Sequence, residues 1–173
     1  SREISHFDVK KLVVDPVMIA KGGAKLLQDE AIAALKRFLL PLAEVITPNL
    51  PEAEFLSGLR IETPEQMREA ARAIHQMGPR HVMMKGGHLQ GDAIVDILYD
   101  GRDFFEMEHE RVPTRHTHGT GCTFSAALTA ELAKGTPLVE AVDRANRFIV
   151  EAIRTAPQIG GGHGPTNHWA AVK

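Results

Sequence analysis

Thr117-His118-Gly119-Thr120-Gly121-Cys122-Thr123 is a glycine-rich turn that runs directly into an apolar stretch of helical period. Glycines there free backbone N–H groups, and a helix dipole adds partial positive charge, so the turn can hold an anion, most naturally a phosphate. A plain loop-to-helix transition would leave the same pattern. It is not a Walker loop: no GxxxxGK[ST] occurs, and Lys25 after Gly22-Gly23 lacks the spacing. Cys122 falls where the helix begins, the position at which a dipole favours the thiolate and a proton could be taken from a hydroxyl; a small core residue is the other reading. Asn49 and Glu52, at i and i+3 across a helix start, could hold Mg²⁺ through oxygen donors and water, or form an asparagine cap with a first-turn glutamate. Lys85 at a strand end could meet a phosphate or be a solvated charge. Among the nine histidines, His116 with His118 and His163 with His168 lack the i, i+4 spacing of HExxH, and no GxSxG elbow is present.

The elements that must carry these residues follow from hydrophobic periodicity. Leu12 to Val17 reads as a strand buried on both faces, with Asp15 at its carboxyl end. After a Lys21-Gly22-Gly23 loop, Asp29 to Leu40 has helical spacing and is closed by Pro41. Val45 to Asn49 reads as a strand and turn, Glu52 to Leu56 as a short helix stopped near Gly58. Thr63-Pro64-Glu65-Gln66 carries an N-cap threonine, a proline at the first helical position and a glutamine three residues after the cap. His81 to Lys85 is a third strand, Ile94 to Tyr99 and Phe104 to Val112 a hairpin about Asp100-Gly101. Gly121 to Ala133 and Leu138 to Ile153 are two long helices. Alternating strands and helices predict an α/β fold with a mainly parallel sheet, whose ligands bind beyond the carboxyl ends of the strands. Asp15, Thr47, Asn49 and Lys85 all fall at that edge.

Composition narrows the class. The 173 residues are 43% hydrophobic and 24% charged, ordinary for a folded globular protein. A formal net charge of -2 supplies no basic field for nucleic acid or anionic lipid. No apolar run approaches the roughly 20 residues of a membrane helix, and the polar start Ser1 to Asp8 lacks a signal-peptide core. A single cysteine cannot form an internal disulfide, and together these features fit a cytoplasmic setting.

Four motifs in order are distinctive: Asp15-Pro16-Val17-Met18, Thr47-Pro48-Asn49-x-x-Glu52, Lys85-Gly86-Gly87-His88 and His118-Gly119-Thr120-Gly121-Cys122-Thr123. With the ending Gly162-His163-Gly164-Pro165-x-Asn167-His168-Trp169, they closely resemble the hydroxymethylpyrimidine/phosphomethylpyrimidine kinases of thiamine biosynthesis, members of the ribokinase-like superfamily. The resemblance implies a single ribokinase-like domain over residues 1–173, a three-layer sandwich about a mostly parallel sheet, of which this chain is the carboxy-terminal, ATP-side portion. Full-length relatives begin with a Gly-Ser-Asp-Ser-Gly-Gly-Gly type segment that supplies most of the pyrimidine pocket, and nothing like it occurs here. The implied activity is transfer of the ATP γ-phosphoryl group to 4-amino-5-hydroxymethyl-2-methylpyrimidine and then to its monophosphate, with ATP and Mg²⁺, by a homodimer. On matching positions, Gly119, Thr120 and Gly121 would be the anion hole, and Cys122 the base. Glu52 with Asn49 would organise Mg²⁺, Asp15 and Thr47 would lie near metal and phosphates, and Lys85 would contact ATP. Cysteine at position 122 also fits a pyridoxal kinase of the same superfamily, and a nucleotide-binding fragment without turnover is the third reading.

Overall fold

A computed structural model describes residues 1–19, 25–89 and 93–171. The Lys21-Gly22-Gly23 loop expected from the sequence lies outside the described residues. The chain divides into two compact units, one of Ser1–Gln90 with Val95–Met107, the other of Gly91–Ile94 with Glu108–Lys173.

In the first unit lie three short strands, the wholly β-branched β1 (Val13–Val14) and β2 (Val45–Ile46), and β3 (His81–Met84), which buries Val82, Met83 and Met84. They pair in parallel, Val13 opposite Val45 and Val45 opposite His81. β4 (Ala93–Tyr99) runs antiparallel to β3, with Met83 opposite Leu98, and β5 (Phe104–Glu110) completes the order β1-β2-β3-β4-β5, with β1 at one edge. The turn expected at Asp100-Gly101 is closed by Asp100, whose Oδ1 accepts the amides of Arg102 and Asp103 at 2.8 and 2.7 Å. Those two amides hold its carboxyl below the usual aspartate range.

Helices fill the crossovers. α1 (Arg2–His6), absent from the sequence reading, buries no residue, so it leaves no hydrophobic period to read. α2 is regular only over Asp29–Ala34; Leu35–Leu39 widen into a π turn and Leu40–Leu42 tighten into a 3₁₀ turn. Pro41 is the physical reason: it has no N–H for the carbonyl four residues back, so the ladder shifts register as it nears the proline. α3 (Leu50–Ser57) starts two residues earlier than expected, with Leu50 and Pro51 in its first positions. α4 (Pro64–His75) carries the expected capping box, Thr63 accepting the Gln66 amide and Gln66 accepting the Thr63 amide. Met67, Ala70, Ala71 and Ile74 face inward at helical spacing and join Val14, Ile46, Val82, Met84 and Ile97 in the core of this unit.

The second unit is built on two helices, α5 (Thr120–Ala133) and α6 (Leu138–Arg154), packed on each other. α5 buries Phe124, Leu128 and Leu132, while α6 buries Ala141, Val142, Ala145, Ile149 and Ala152 on one stripe. Among the described residues no helix is long and apolar enough to cross a membrane.

Candidate active site

Parallel register explains the first cluster. Asp15 follows β1, Thr47 follows β2 and Lys85 follows β3, so the pairing of the strands delivers all of them to the same carboxyl edge of the sheet. Asp15 Oδ1 is the hub: Lys85 Nζ donates to it at 2.9 Å and Thr47 Oγ1 lies 3.2 Å away. Both charged side chains are mostly covered, at 15% for Lys85 and 16% for Asp15, so Lys85 is a paired charge rather than a solvated one. Its backbone is fixed as well, the amide donating to the Pro48 carbonyl at 2.9 Å. Next to it, the Gly86 amide donates to Asp96 Oδ1 at 2.7 Å. A Cβ on Gly86 would lie 1.8 Å from the Val95 carbonyl oxygen, so only glycine lets the chain pass here. Asp96 is a supporting residue that sequence reading missed, because nothing local marks a strand carboxylate as the anchor of a loop ten positions away.

Asn49 and Glu52 form a complete capping box on α3. Asn49 Oδ1 accepts the Glu52 amide at 2.9 Å and Glu52 Oε2 accepts the Asn49 amide at 2.8 Å. The asparagine-cap reading of the pair therefore holds, yet an exposed cap glutamate is not what results: Glu52 is 3% exposed. Burial raises its pKa, against the pull of the Asn49 amide and of Lys85, and Asp15 adds repulsion that raises it further. Two carboxylates and an amide oxygen in mutual reach of charge are donors suited to a hard cation, and a divalent ion would relieve the repulsion. Among the described residues no three of His, Cys, Asp and Glu gather to ligate a metal, so such an ion would complete its shell with phosphate oxygens and water.

The second cluster is the glycine turn of the other unit. Gly119 is the N-cap of α5 and sits at φ 81°, in the left-handed region that an L side chain rarely adopts. Having no side chain, it makes no side-chain cap bond to the first turn of the helix. The Thr120 hydroxyl is directed back to the Thr117 carbonyl at 2.8 Å, which closes the turn. Cys122 is exposed, which removes the core reading of that residue. Thr123, one position on, is buried and its Oγ1 lies 3.3 Å from both Thr166 Oγ1 and His168 Nε2.

These clusters lie within a stretch matched by the family model for phosphomethylpyrimidine kinase, which covers residues 1–167. The chain belongs to the phosphomethylpyrimidine kinase family. It is 49% identical over 171 residues to the hydroxymethylpyrimidine/phosphomethylpyrimidine kinase of Bacillus subtilis, covering 98% of this chain and 63% of that protein. The Haemophilus influenzae protein of the same name is 56% identical over 164 residues, 92% of this chain and 61% of its own length. Among solved structures, an ADP complex of Bacillus subtilis pyridoxal kinase matches with a TM-score of 0.88 at 43% identity, covering 98% of this chain and 63% of that one. A phosphomethylpyrimidine kinase from Clostridium difficile matches with a TM-score of 0.76 at 43% identity, over 88% and 61% of the two chains. The phosphomethylpyrimidine kinase family chain thus has the ribokinase-like α/β fold expected of it, and spans somewhat under two thirds of the relatives it matches.

Proposed function

We propose that this chain carries the ATP-side machinery of a kinase that phosphorylates 4-amino-5-hydroxymethyl-2-methylpyrimidine and then its monophosphate, in thiamine diphosphate biosynthesis. The family match over residues 1–167 carries the reading. Phosphoryl transfer asks a protein for positioning and charge neutralisation more than for covalent help. In this reading Gly119, Thr120 and Gly121 turn their amides toward the migrating phosphoryl group, where α5 adds its positive end. Cys122 accepts the proton of the substrate hydroxymethyl group as its oxygen bonds to the γ-phosphorus and the bond from that phosphorus to the β-phosphate oxygen breaks, releasing ADP. Lys85, held on Asp15 beside Thr47, meets an ATP phosphate. Glu52 with Asn49 would hold Mg²⁺, which when bound neutralises phosphate charge. A homodimer, a cytoplasmic location, a small pyrimidine acceptor and one ribokinase-like domain complete the proposal.

The likeness to pyridoxal kinase structures supports a second acceptor, pyridoxal. A coupled ADP assay on the full-length protein decides between them. Turnover with the hydroxymethylpyrimidine at a higher kcat/KM than with pyridoxal is expected; the reverse order makes it a pyridoxal kinase, and ADP release with neither overturns the kinase reading.

A further inference from the structure

One sequence motif is left without a role by that reading, the ending Gly162–Trp169, and its contacts converge on the glycine turn. The His118 amide donates to the Gly164 carbonyl at 3.1 Å and the Thr166 amide to the His118 carbonyl at 3.4 Å, a short parallel bridge that fixes the residue just before Gly119. On the far side of the turn, Thr123 Oγ1 meets Thr166 Oγ1 and His168 Nε2, each at 3.3 Å. Thr123 and Thr166 are 8% and 4% exposed, so this hydroxyl pair is shielded from water. The tail is itself anchored: the Asn167 amide donates to the Ala152 carbonyl at 2.9 Å and its Nδ2 to Thr155 Oγ1 at 3.0 Å, at the end of α6. Gly164 packs so closely on the buried His116 that a Cβ would lie 2.4 Å from Nδ1.

We propose that the tail is a positioning strap for the anion hole, with Thr166 and His168 as positioning residues that act through Thr123 and the His118 backbone. The proposal rests on the kinase reading above. A glycine-rich turn is the most deformable kind of backbone, whereas stabilisation of a developing charge needs donors already fixed in place. The structure resolves that conflict by gripping the turn from both ends, at His118 and at Thr123. A shielded hydrogen-bonded pair is well suited to hold one geometry.

The test uses the full-length protein with Thr166→Val, which keeps the shape and deletes the hydroxyl, Thr166→Ser, which restores it, and His168→Gln. Thr166→Val is expected to lower kcat roughly ten- to a hundredfold with KM for ATP changed by less than about twofold, and Thr166→Ser to recover most of that loss. Hydrogen–deuterium exchange of the peptide over residues 117–124 is expected to accelerate in Thr166→Val, with or without turnover. A folded Thr166→Val with parental kcat, or a kcat loss without faster exchange in 117–124, overturns the strap. If Thr166→Val does not fold, His168→Gln is read by the same two criteria. Should the parent itself phosphorylate none of the three acceptors, the kinase reading falls; exchange at 117–124 then decides the strap by itself, and an unchanged rate overturns it.

Discussion

At the scale of single residues, Glu52 and Cys122 make opposite demands on their surroundings. Glu52 is buried and its pKa is raised, chiefly by burial. The folded state therefore holds a proton that the unfolded chain releases at about pH 4.5. Its contribution to stability is fully present below that pH and is lost as pH rises through the elevated folded-state value. Glu52→Gln removes the titration, so its Tm relative to the parent should climb between pH 4 and neutrality without Mg²⁺, in a thermal melt series; a difference that stays flat or shrinks would contradict the burial argument. Cys122 is exposed instead, at the first turn of a helix, and Cys122→Ala is expected to lower kcat by about 100-fold or more while KM for ATP holds. Unchanged turnover with both pyrimidine substrates would remove the base role. Neither environment was legible from spacing: the i, i+3 pattern at Asn49 and Glu52 fits a cap and a metal site alike, and the capping box carries no information on depth. Likewise Lys85 and Asp15, 70 positions apart, are joined only by strand register.

Elements were read most accurately where their boundaries are set by local chemistry. Thr63, Pro64 and Gln66 define the start of α4 by side chain to backbone bonds that need no tertiary partner, and the structure keeps them. Thr63→Ala should cost about 1 kcal/mol in denaturant unfolding, with m unchanged. Features whose local signal is ambiguous or absent escaped the sequence: the π and 3₁₀ turns at Pro41, which reads only as a helix stop, and α1, which has no buried face. Gly86 belongs to the same class. It reads as one of two glycines ending a strand, but its distinguishing constraint is the Val95 carbonyl, on a strand nine residues further along. Gly86→Ala is expected to destabilise by about 3 kcal/mol, whereas Gly87→Ala, where an added Cβ meets nothing within 4 Å, should change stability far less. Equal effects at the two positions would show that the loop yields freely and that the Asp96 anchor is not holding it.

For the molecule as a whole, the informative quantity is how the proposed roles distribute over the chain. Every residue assigned here to nucleotide, Mg²⁺ or the migrating phosphoryl group lies between Asp15 and Cys122, within the 167 residues that the family model matches. Acceptor recognition is different: the proposed function assigns it no residue of this chain, which spans 63% of the Bacillus subtilis relative. Nucleotide binding and turnover should therefore separate. Mg-ATP at 100 times its Kd adds about 2.7 kcal/mol to folding stability, which for a chain of this size is a rise in Tm of roughly 5–10 °C. That rise is expected for the 173-residue polypeptide, to be weakened by Lys85→Met and by Glu52→Gln, while 4-amino-5-hydroxymethyl-2-methylpyrimidine alone leaves Tm unmoved and ADP release with it stays at background. The full-length protein should respond to both ligands and turn over. A 173-residue polypeptide that binds the pyrimidine but not Mg-ATP would invert the assignment, because the two carboxylates, the paired lysine and the glycine turn would then belong to acceptor recognition.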